Sequence, residues 1–191
     1  YNGIKVFFLG GNMNKKVFLI SGKARSGKHT VANIIKDYYE RQGKKCAITI
    51  YAKYIKQYAI DYFNWDGKEE SKPRELLQKL GTDIIKDKLG MKDFQVRRMI
   101  EDIKVLQNFF DIIIVPDTRF IEEIEDIKET FANVYSIRIN RHNYDNGLTI
   151  EEKNHPSEIA LDNYKNFDYQ IDSTSINDIK IQVENILKDV N

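Results

Sequence analysis

Two glycines and a lysine near the start of the sequence have the spacing of a phosphate-binding loop. Residues 22–30 read Gly-Lys-Ala-Arg-Ser-Gly-Lys-His-Thr, which contains the motif G-x-x-x-x-G-K. Glycines at these positions let the backbone turn so that several N–H groups face one anion, and Lys28 adds a full positive charge. We predict that the loop binds a nucleotide through Gly22, Lys23, Ala24, Arg25, Ser26, Gly27, Lys28, His29 and Thr30.

Position 29 departs from the common form of this motif, in which Ser or Thr follows the lysine and contacts Mg²⁺. Here His29 follows Lys28, and Thr30 comes one position later. We expect His29 to be an ordinary residue of the first helical turn. Thr30 is therefore predicted to help bind the Mg²⁺ that accompanies ATP, together with Asp117.

Asp117 and Arg119 form a second candidate group, because they follow the apolar run Ile-Ile-Ile-Val at residues 112–115. Ligands of an open α/β sheet gather beyond the carboxyl ends of its strands. Asp117 is expected to hold the Mg²⁺ shell or to orient a substrate, and Arg119 to neutralise a phosphate. A solvated turn is the alternative interpretation of this pair.

Transfer of a phosphoryl group spreads negative charge over several oxygens, so arginines from separate segments should converge on such a site. The candidates are Arg25, Arg74, Arg97, Arg98, Arg119, Arg138 and Arg141. Arg138 and Arg141 flank residues 140–157, a polar segment that is expected to act as a lid over ATP. The predicted catalytic set is Lys28, Asp117, Arg119, Arg138 and Arg141.

These residues are far apart in the chain and need a scaffold that brings them together. Apolar runs that alternate with segments of helical periodicity predict a three-layer α/β sandwich, the P-loop NTPase fold, with a parallel sheet of about five strands. The predicted strands are residues 16–21, 46–51, 111–115, 134–139 and 167–171. After the helix that follows the loop, the predicted helices are residues 53–63, 73–88 with Gly81 as a candidate interruption, 93–109, 120–130 and 179–190.

Length and composition bound the classes of protein that fit. The 191 residues are enough for one domain, and 30 basic against 29 acidic residues leave a net charge of +1, which argues against nucleic acid as a partner. No apolar stretch reaches the roughly 20 residues of a membrane span, and the lone Cys46 fits a reducing compartment, so we expect a cytoplasmic protein.

The oligomeric state stays open between monomer and homodimer. Because Met13 stands where the ordered pattern begins, residues 1–12 are expected to be an upstream extension and residues 13–191 one domain.

Beyond the loop, four further stretches give the chain a resemblance to the deoxynucleoside monophosphate kinases of phages and bacteria. The loop is similar to that family's S-G-K-x-x-S-G-K-D-T, and residues 51–56 resemble F-A-D-P-(I/L)-K, with Lys53 and Tyr54 replacing Asp and Pro. Residues 73–81 resemble R-x-x-L-Q-x-x-G. Residues 117–123 resemble D-x-R-F-x-x-E, and residues 155–162 resemble H-x-S-E-x-x-L-D.

This resemblance implies a nucleoside monophosphate kinase-like fold, with acceptor-binding helices at residues 53–110. It places Lys56, Arg74, Arg119 and Glu158 near a phosphate-bearing small-molecule acceptor, and Lys28 on ATP. The same motifs also resemble animal-type phosphomevalonate kinases, so the acceptor stays open between a nucleotide and another phosphate ester. A nucleotide-binding sensor without turnover is the third interpretation, since His29, Lys53 and Tyr54 depart from the family pattern.

Overall fold

A parallel sheet of five strands, with helices on both faces, forms the centre of the molecule, so the predicted α/β P-loop fold class is confirmed. The computed structural model describes residues 15–190; the expected extension at residues 1–12 lies outside the described residues. The strands are β1 (Lys16–Gly22), β2 (Cys46–Ile48), β3 (Ile112–Thr118), β4 (Val134–Arg141) and β5 (Tyr169–Ser173), in the spatial order β2-β3-β1-β4-β5.

Helices connect the strands and supply both outer layers. They are α1 (Lys28–Glu40), α2 (Lys53–Phe63), α3 (Arg74–Gln78), α4 (Phe94–Leu106), α5 (Glu122–Thr130), α6 (Ile150–Asn154), α7 (Pro156–Ile159) and α8 (Ile176–Asp189), with a π-helix at Lys79–Lys88. Within residues 15–190, no helix is both long and apolar enough to cross a membrane.

The alternation of side chains along β1 divides the core into two halves. Phe18 and Ile20 pack into the half that contains α1 and α8 residues such as Ile35 and Val183. Val17 and Leu19 pack into the other half, with residues of α4 and α5. Apolar burial on both faces of a central strand stabilises the sheet from both sides, as expected for parallel strands.

The sheet register aligns the carboxyl ends of three neighbouring strands. Ser21 near the end of β1 pairs with Thr118 of β3 and with Arg138 of β4. The loop after β1 therefore leaves the sheet beside the ends of its two neighbours. The candidate site lies at this carboxyl end of the sheet, where ligands of open α/β sheets were expected to gather.

Several elements differ from their predicted bounds. β2 ends at Ile48 rather than at residue 51, and β3 continues to Thr118, so Asp117 lies within a strand instead of in a turn after it. After β2, the backbone N–H groups of Tyr51 and Ala52 bond to the Asp117 carboxylate and not to a strand, whereas β3 is extended by the pairing of Thr118 with Ser21 of β1. The expected helix at residues 73–88 divides into α3 and the π-helix.

Candidate active site

The phosphate-binding loop occupies the turn between β1 and α1, as predicted. Lys28 folds back over it, and its Nζ donates to the carbonyl oxygens of Gly22 at 2.8 Å and Lys23 at 2.7 Å. A Cβ on Gly22 would lie 2.5 Å from the Ser26 Oγ and 2.9 Å from the Ile139 carbonyl oxygen. Only glycine allows this close approach, so the first motif glycine sets the shape of the loop.

The electrostatics of Lys28 favour an anionic ligand. Burial, followed by the positive charge of Arg119, lowers the pKa of Lys28 to about 7. Burial and the charges of Lys28 and Lys56 also lower the pKa of His29, which favours the neutral imidazole. A bound phosphate would place negative charge beside Lys28 and would therefore favour the protonated, charged form of this lysine.

A cavity of about 740 Å³ extends from the loop across the carboxyl end of the sheet to α2, α3 and the π-helix. It joins the predicted nucleotide residues to the predicted acceptor residues. The predicted residues that line it are Ala24, Arg25, Ser26, Gly27, Lys28, His29, Thr30, Lys56, Arg74, Asp117, Arg119, Arg141 and Glu158.

Two cations pair with one carboxylate in the wall of this cavity. Lys72 Nζ lies 3.0 and 3.1 Å from the two oxygens of Glu69, and Arg74 Nη2 lies 3.1 Å from one of them. Lys56 also lines the cavity, and its charge acts on both Glu69 and Lys72. Sequence reasoning missed Lys72, although it stands two residues before Arg74 and so offered a signal.

Asp117 holds the chain where it enters α2. Its Oδ1 accepts from the Tyr51 N–H at 2.9 Å and its Oδ2 accepts from the Ala52 N–H at 3.1 Å. Because α2 carries Lys56, Asp117 positions one of the acceptor-side cations. Within the described residues, no group of three or more His, Cys, Asp or Glu is arranged to hold a metal ion on its own.

Glu158 links α7 to the phosphate-binding loop. Its Oε2 accepts from the Ala24 N–H at 3.0 Å, and its Oε1 accepts from the Arg119 guanidinium. The carboxylate is buried. Glu158, which was predicted to bind substrate, lines the larger cavity, and its two bonds also hold Arg119 beside the loop.

Glu123 is the last residue of the D-x-R-F-x-x-E resemblance, but it was not among the predicted site residues. Its Oε2 accepts from the Arg119 N–H at 2.6 Å and from the Phe120 N–H at 3.2 Å. Burial is the largest cause that raises its pKa, to about 8. Because Glu123 holds the backbone of Arg119 while Glu158 holds its side chain, two acids position this arginine.

The two arginines predicted to flank the lid lie in different places. Arg138 lies inside β4, bonds to Asp162 Oδ1 at 3.1 Å and lines a second cavity of about 420 Å³ with Lys23. Arg138 is therefore absent from the wall of the larger cavity, although its charge reaches Lys28. Arg141 does line the larger cavity, and it donates to the Arg25 carbonyl oxygen at 3.2 Å.

The predicted lid at residues 140–157 contains more regular secondary structure than the long loop that was expected. It begins with the end of β4, continues through residues 142–149, and contains α6. The Tyr144 hydroxyl donates to the Ala24 carbonyl oxygen at 2.9 Å. Leu148 and Glu152 line the larger cavity. The segment thus contacts the phosphate-binding loop directly.

Comparisons with known proteins agree with this architecture. No family model matches the chain, and no curated protein matches it in sequence. Among solved structures, the APS kinase CysC of Mycobacterium tuberculosis in complex with AMPPNP and APS is 13% identical, with a TM-score of 0.57 over 92% of this chain and 98% of that one. Shikimate kinase from Bacteroides thetaiotaomicron is 14% identical, with a TM-score of 0.50 over 91% of this chain and 96% of that one. The chain has the fold of these P-loop kinases.

Proposed function

We propose that the chain is an enzyme that transfers the γ-phosphoryl group of ATP to the phosphate of a small molecule, and that a deoxynucleoside or ribonucleoside monophosphate is the acceptor. The observation that carries this proposal is the cavity of about 740 Å³, whose wall includes both the phosphate-binding loop and the cations Lys56, Lys72 and Arg74. Two separate groups of cations facing one cavity fit two phosphate-bearing ligands. The solved structure with AMPPNP and APS, which has the same fold, is consistent with a nucleotide and a second ligand.

On the ATP side, the loop N–H groups and Lys28 bind the β- and γ-phosphates, and the amino end of α1 adds positive potential. Arg119 and Arg141 line the cavity and neutralise the charge that develops on the transferred group. Arg138 contributes its charge from a greater distance.

The residues also fit an Mg²⁺ ion that arrives with ATP. Thr30 and Asp117 line the cavity, and the Asp117 oxygens keep lone pairs beyond the two backbone N–H bonds they accept. Such an ion supplies further neutralisation of phosphate charge. Thr30 and Asp117 would hold it together with the phosphates themselves.

On the acceptor side, the substrate phosphate replaces the Glu69 carboxylate among Lys56, Lys72 and Arg74. Glu69 is the more exposed partner, with 65% of its side chain accessible against 31% for Arg74, so it can move out into solvent. The attacking oxygen belongs to a phosphate that is already ionised, so no general base is required. Catalysis then depends on positioning and charge stabilisation.

The test is ATP consumption with Mg²⁺ against a panel of nucleoside and deoxynucleoside monophosphates plus phosphomevalonate, with products separated by chromatography. Lys28→Ala should lower turnover by at least about 100-fold, because it removes a charge aimed at the transferred group. Lys36→Ala is the matched control, since Lys36 lies on the same helix and forms a solvent-exposed i,i+4 ion pair with Glu40.

Each outcome separates the interpretations. A diphosphate product that disappears in Lys28→Ala supports the nucleotide kinase. Turnover with phosphomevalonate alone would replace the nucleotide acceptor by a different phosphate ester. ATP binding without consumption for any acceptor would contradict the proposed enzyme and support a sensor.

A further inference from the structure

Gln95 is a buried amide in the wall of the large cavity, and its carbonyl oxygen has no partner among the described residues. It lies in the first turn of α4, lines the cavity, and is 8% exposed. Within residues 15–190, no protein donor reaches its Oε1. Buried amide oxygens are almost always hydrogen-bonded, because losing water without a replacement is unfavourable. An unpartnered amide at the wall of a ligand cavity therefore points to a ligand group.

The absence of a side chain at Gly81 leaves space for the Gln95 amide. A Cβ on Gly81 would lie 3.3 Å from the Gln95 Nε2 and 2.8 Å from the Ile55 Cδ1. Glycine at position 81 thus lets the amide and the Ile55 side chain meet at one point of the wall. Gly81 belongs to the π-helix, a distortion that is frequent at functional sites.

This part of the wall is largely uncharged. Ile55 and Leu77 line it with apolar groups, and Thr82 is a buried polar residue of the π-helix. A neutral amide between apolar groups suits a planar, neutral ligand with its own hydrogen-bonding edge. A carboxylate, such as the one in phosphomevalonate, would be recognised by a cation instead.

We infer that Gln95 is a specificity residue that recognises the nucleobase of the acceptor through a paired donor and acceptor on the edge of the base. An amide presents one N–H donor beside one C=O acceptor, and bases present the complementary pair, as in the bidentate contact of glutamine with adenine. The inference rests on the proposed function, because it assumes that the acceptor phosphate binds near Lys56, Lys72 and Arg74 in the same cavity.

The experiment measures binding separately from turnover. Equilibrium titration of the four common nucleoside monophosphates without ATP compares the full chain with Gln95→Met, which keeps the side-chain volume but removes both hydrogen-bonding atoms. The preferred monophosphate should bind at least about tenfold more weakly to the variant, and the ranking of the bases should flatten. Gln57→Met is the matched control, since Gln57 is exposed on α2 and donates to Asp61.

Thermal unfolding distinguishes recognition from a structural role. Because Oε1 has no protein partner, Gln95→Met should not lower the unfolding temperature of the free protein. A lower unfolding temperature with unchanged nucleotide binding would overturn the inference. An equal loss for all four bases, or no monophosphate binding to the unmodified chain, would also overturn it. Base-selective binding that depends on Gln95 but leads to no phosphorylation would retain the inference and refute the proposed transfer reaction.

Discussion

Replacement of Glu158 by Gln tests the link between the phosphate-binding loop and Arg119. The glutamine has the same size but no charge, so it weakens the bond from the Ala24 N–H at 3.0 Å and removes the ionic partner of Arg119. Hydrogen bonds to charged groups contribute about 1.5–3 kcal/mol, and loss of one partner from a buried pair costs about 3–5 kcal/mol. Arg119 keeps 25% of its side chain accessible, so solvent compensates part of the larger figure.

Because glutamine retains one acceptor oxygen, we expect Glu158→Gln to lower the free energy of unfolding by about 2 kcal/mol. For a domain of this length, that corresponds to a fall of about 4–8 °C in the unfolding temperature. Denaturant and thermal unfolding measure both quantities. Glu151→Gln on the neighbouring helix α6 is the control, since Glu151 is exposed and should change stability by less than about 0.5 kcal/mol.

A double-mutant cycle with Arg119→Gln identifies the cause. If the pair is the cause, the double variant should be less destabilised than the sum of the single variants. Strict additivity, or a Glu158→Gln effect no larger than that of Glu151→Gln, would refute the idea that this carboxylate couples the loop to Arg119.

Two further predictions concern the loop itself. Burial lowers the pKa of Lys28 to about 7 and bound phosphates raise it again, so ATP binding at pH 8 should take up protons, whereas at pH 6 the lysine is already charged and uptake should be small. Calorimetry in two buffers of different ionisation enthalpy measures this uptake, and its persistence in Lys28→Ala would contradict the assignment. Gly22→Ala should cost about 1–3 kcal/mol of stability and weaken ATP binding, because the new methyl meets Ser26 Oγ at 2.5 Å and the Ile139 carbonyl at 2.9 Å. Unfolding and ATP titrations measure both effects, with Gly90→Ala as the control for backbone strain. Gly90 has a φ of +66°, but a Cβ there would meet nothing within 4 Å. Equal effects of the two substitutions would contradict the steric argument.

The sequence was sufficient for the loop and the fold class because both depend on local patterns. The motif spacing at residues 22–30 requires a strand before it and a helix after it, and both are present. The apolar run at residues 112–115 is buried in β3, as expected for a strand between two helical layers. Such features need no knowledge of which segments meet in space.

Contacts between distant segments were the part that sequence reasoning did not predict. Arg138 was predicted to flank the lid and to suit closure over ATP, and sequence reasoning did not predict that Asp162, from beyond α7, is the partner that holds it. The shortened β2 follows from the bonds of Asp117 to Tyr51 and Ala52, across more than 60 residues of chain. No local pattern encodes such a pairing.

Gln95 did leave a signal that could have been used. It precedes Met99 by four residues and Ile103 by eight, a spacing that places it on the buried face of α4. A glutamine among apolar residues on that face must find a polar partner, either in the protein or in a ligand. The predicted helix at residues 93–109 was right, but Gln95 was not among the predicted site residues.

The acids of the cavity show how a chain of nearly neutral net charge would hold the two anionic ligands that we propose. Asp117 accepts from the backbone at the entrance to α2, Glu123 from the backbone of Arg119, and Glu158 from the loop and from the Arg119 side chain. Each of these carboxylates is engaged by the protein, and in each case the bond positions an element that carries a cation. The acids thus fix the positions of Lys56 and Arg119 beside the cavity, and a bound phosphate would favour the charged form of Lys28. Charge that is positioned before the ligand arrives costs no reorganisation during phosphoryl transfer, which is the condition for electrostatic catalysis.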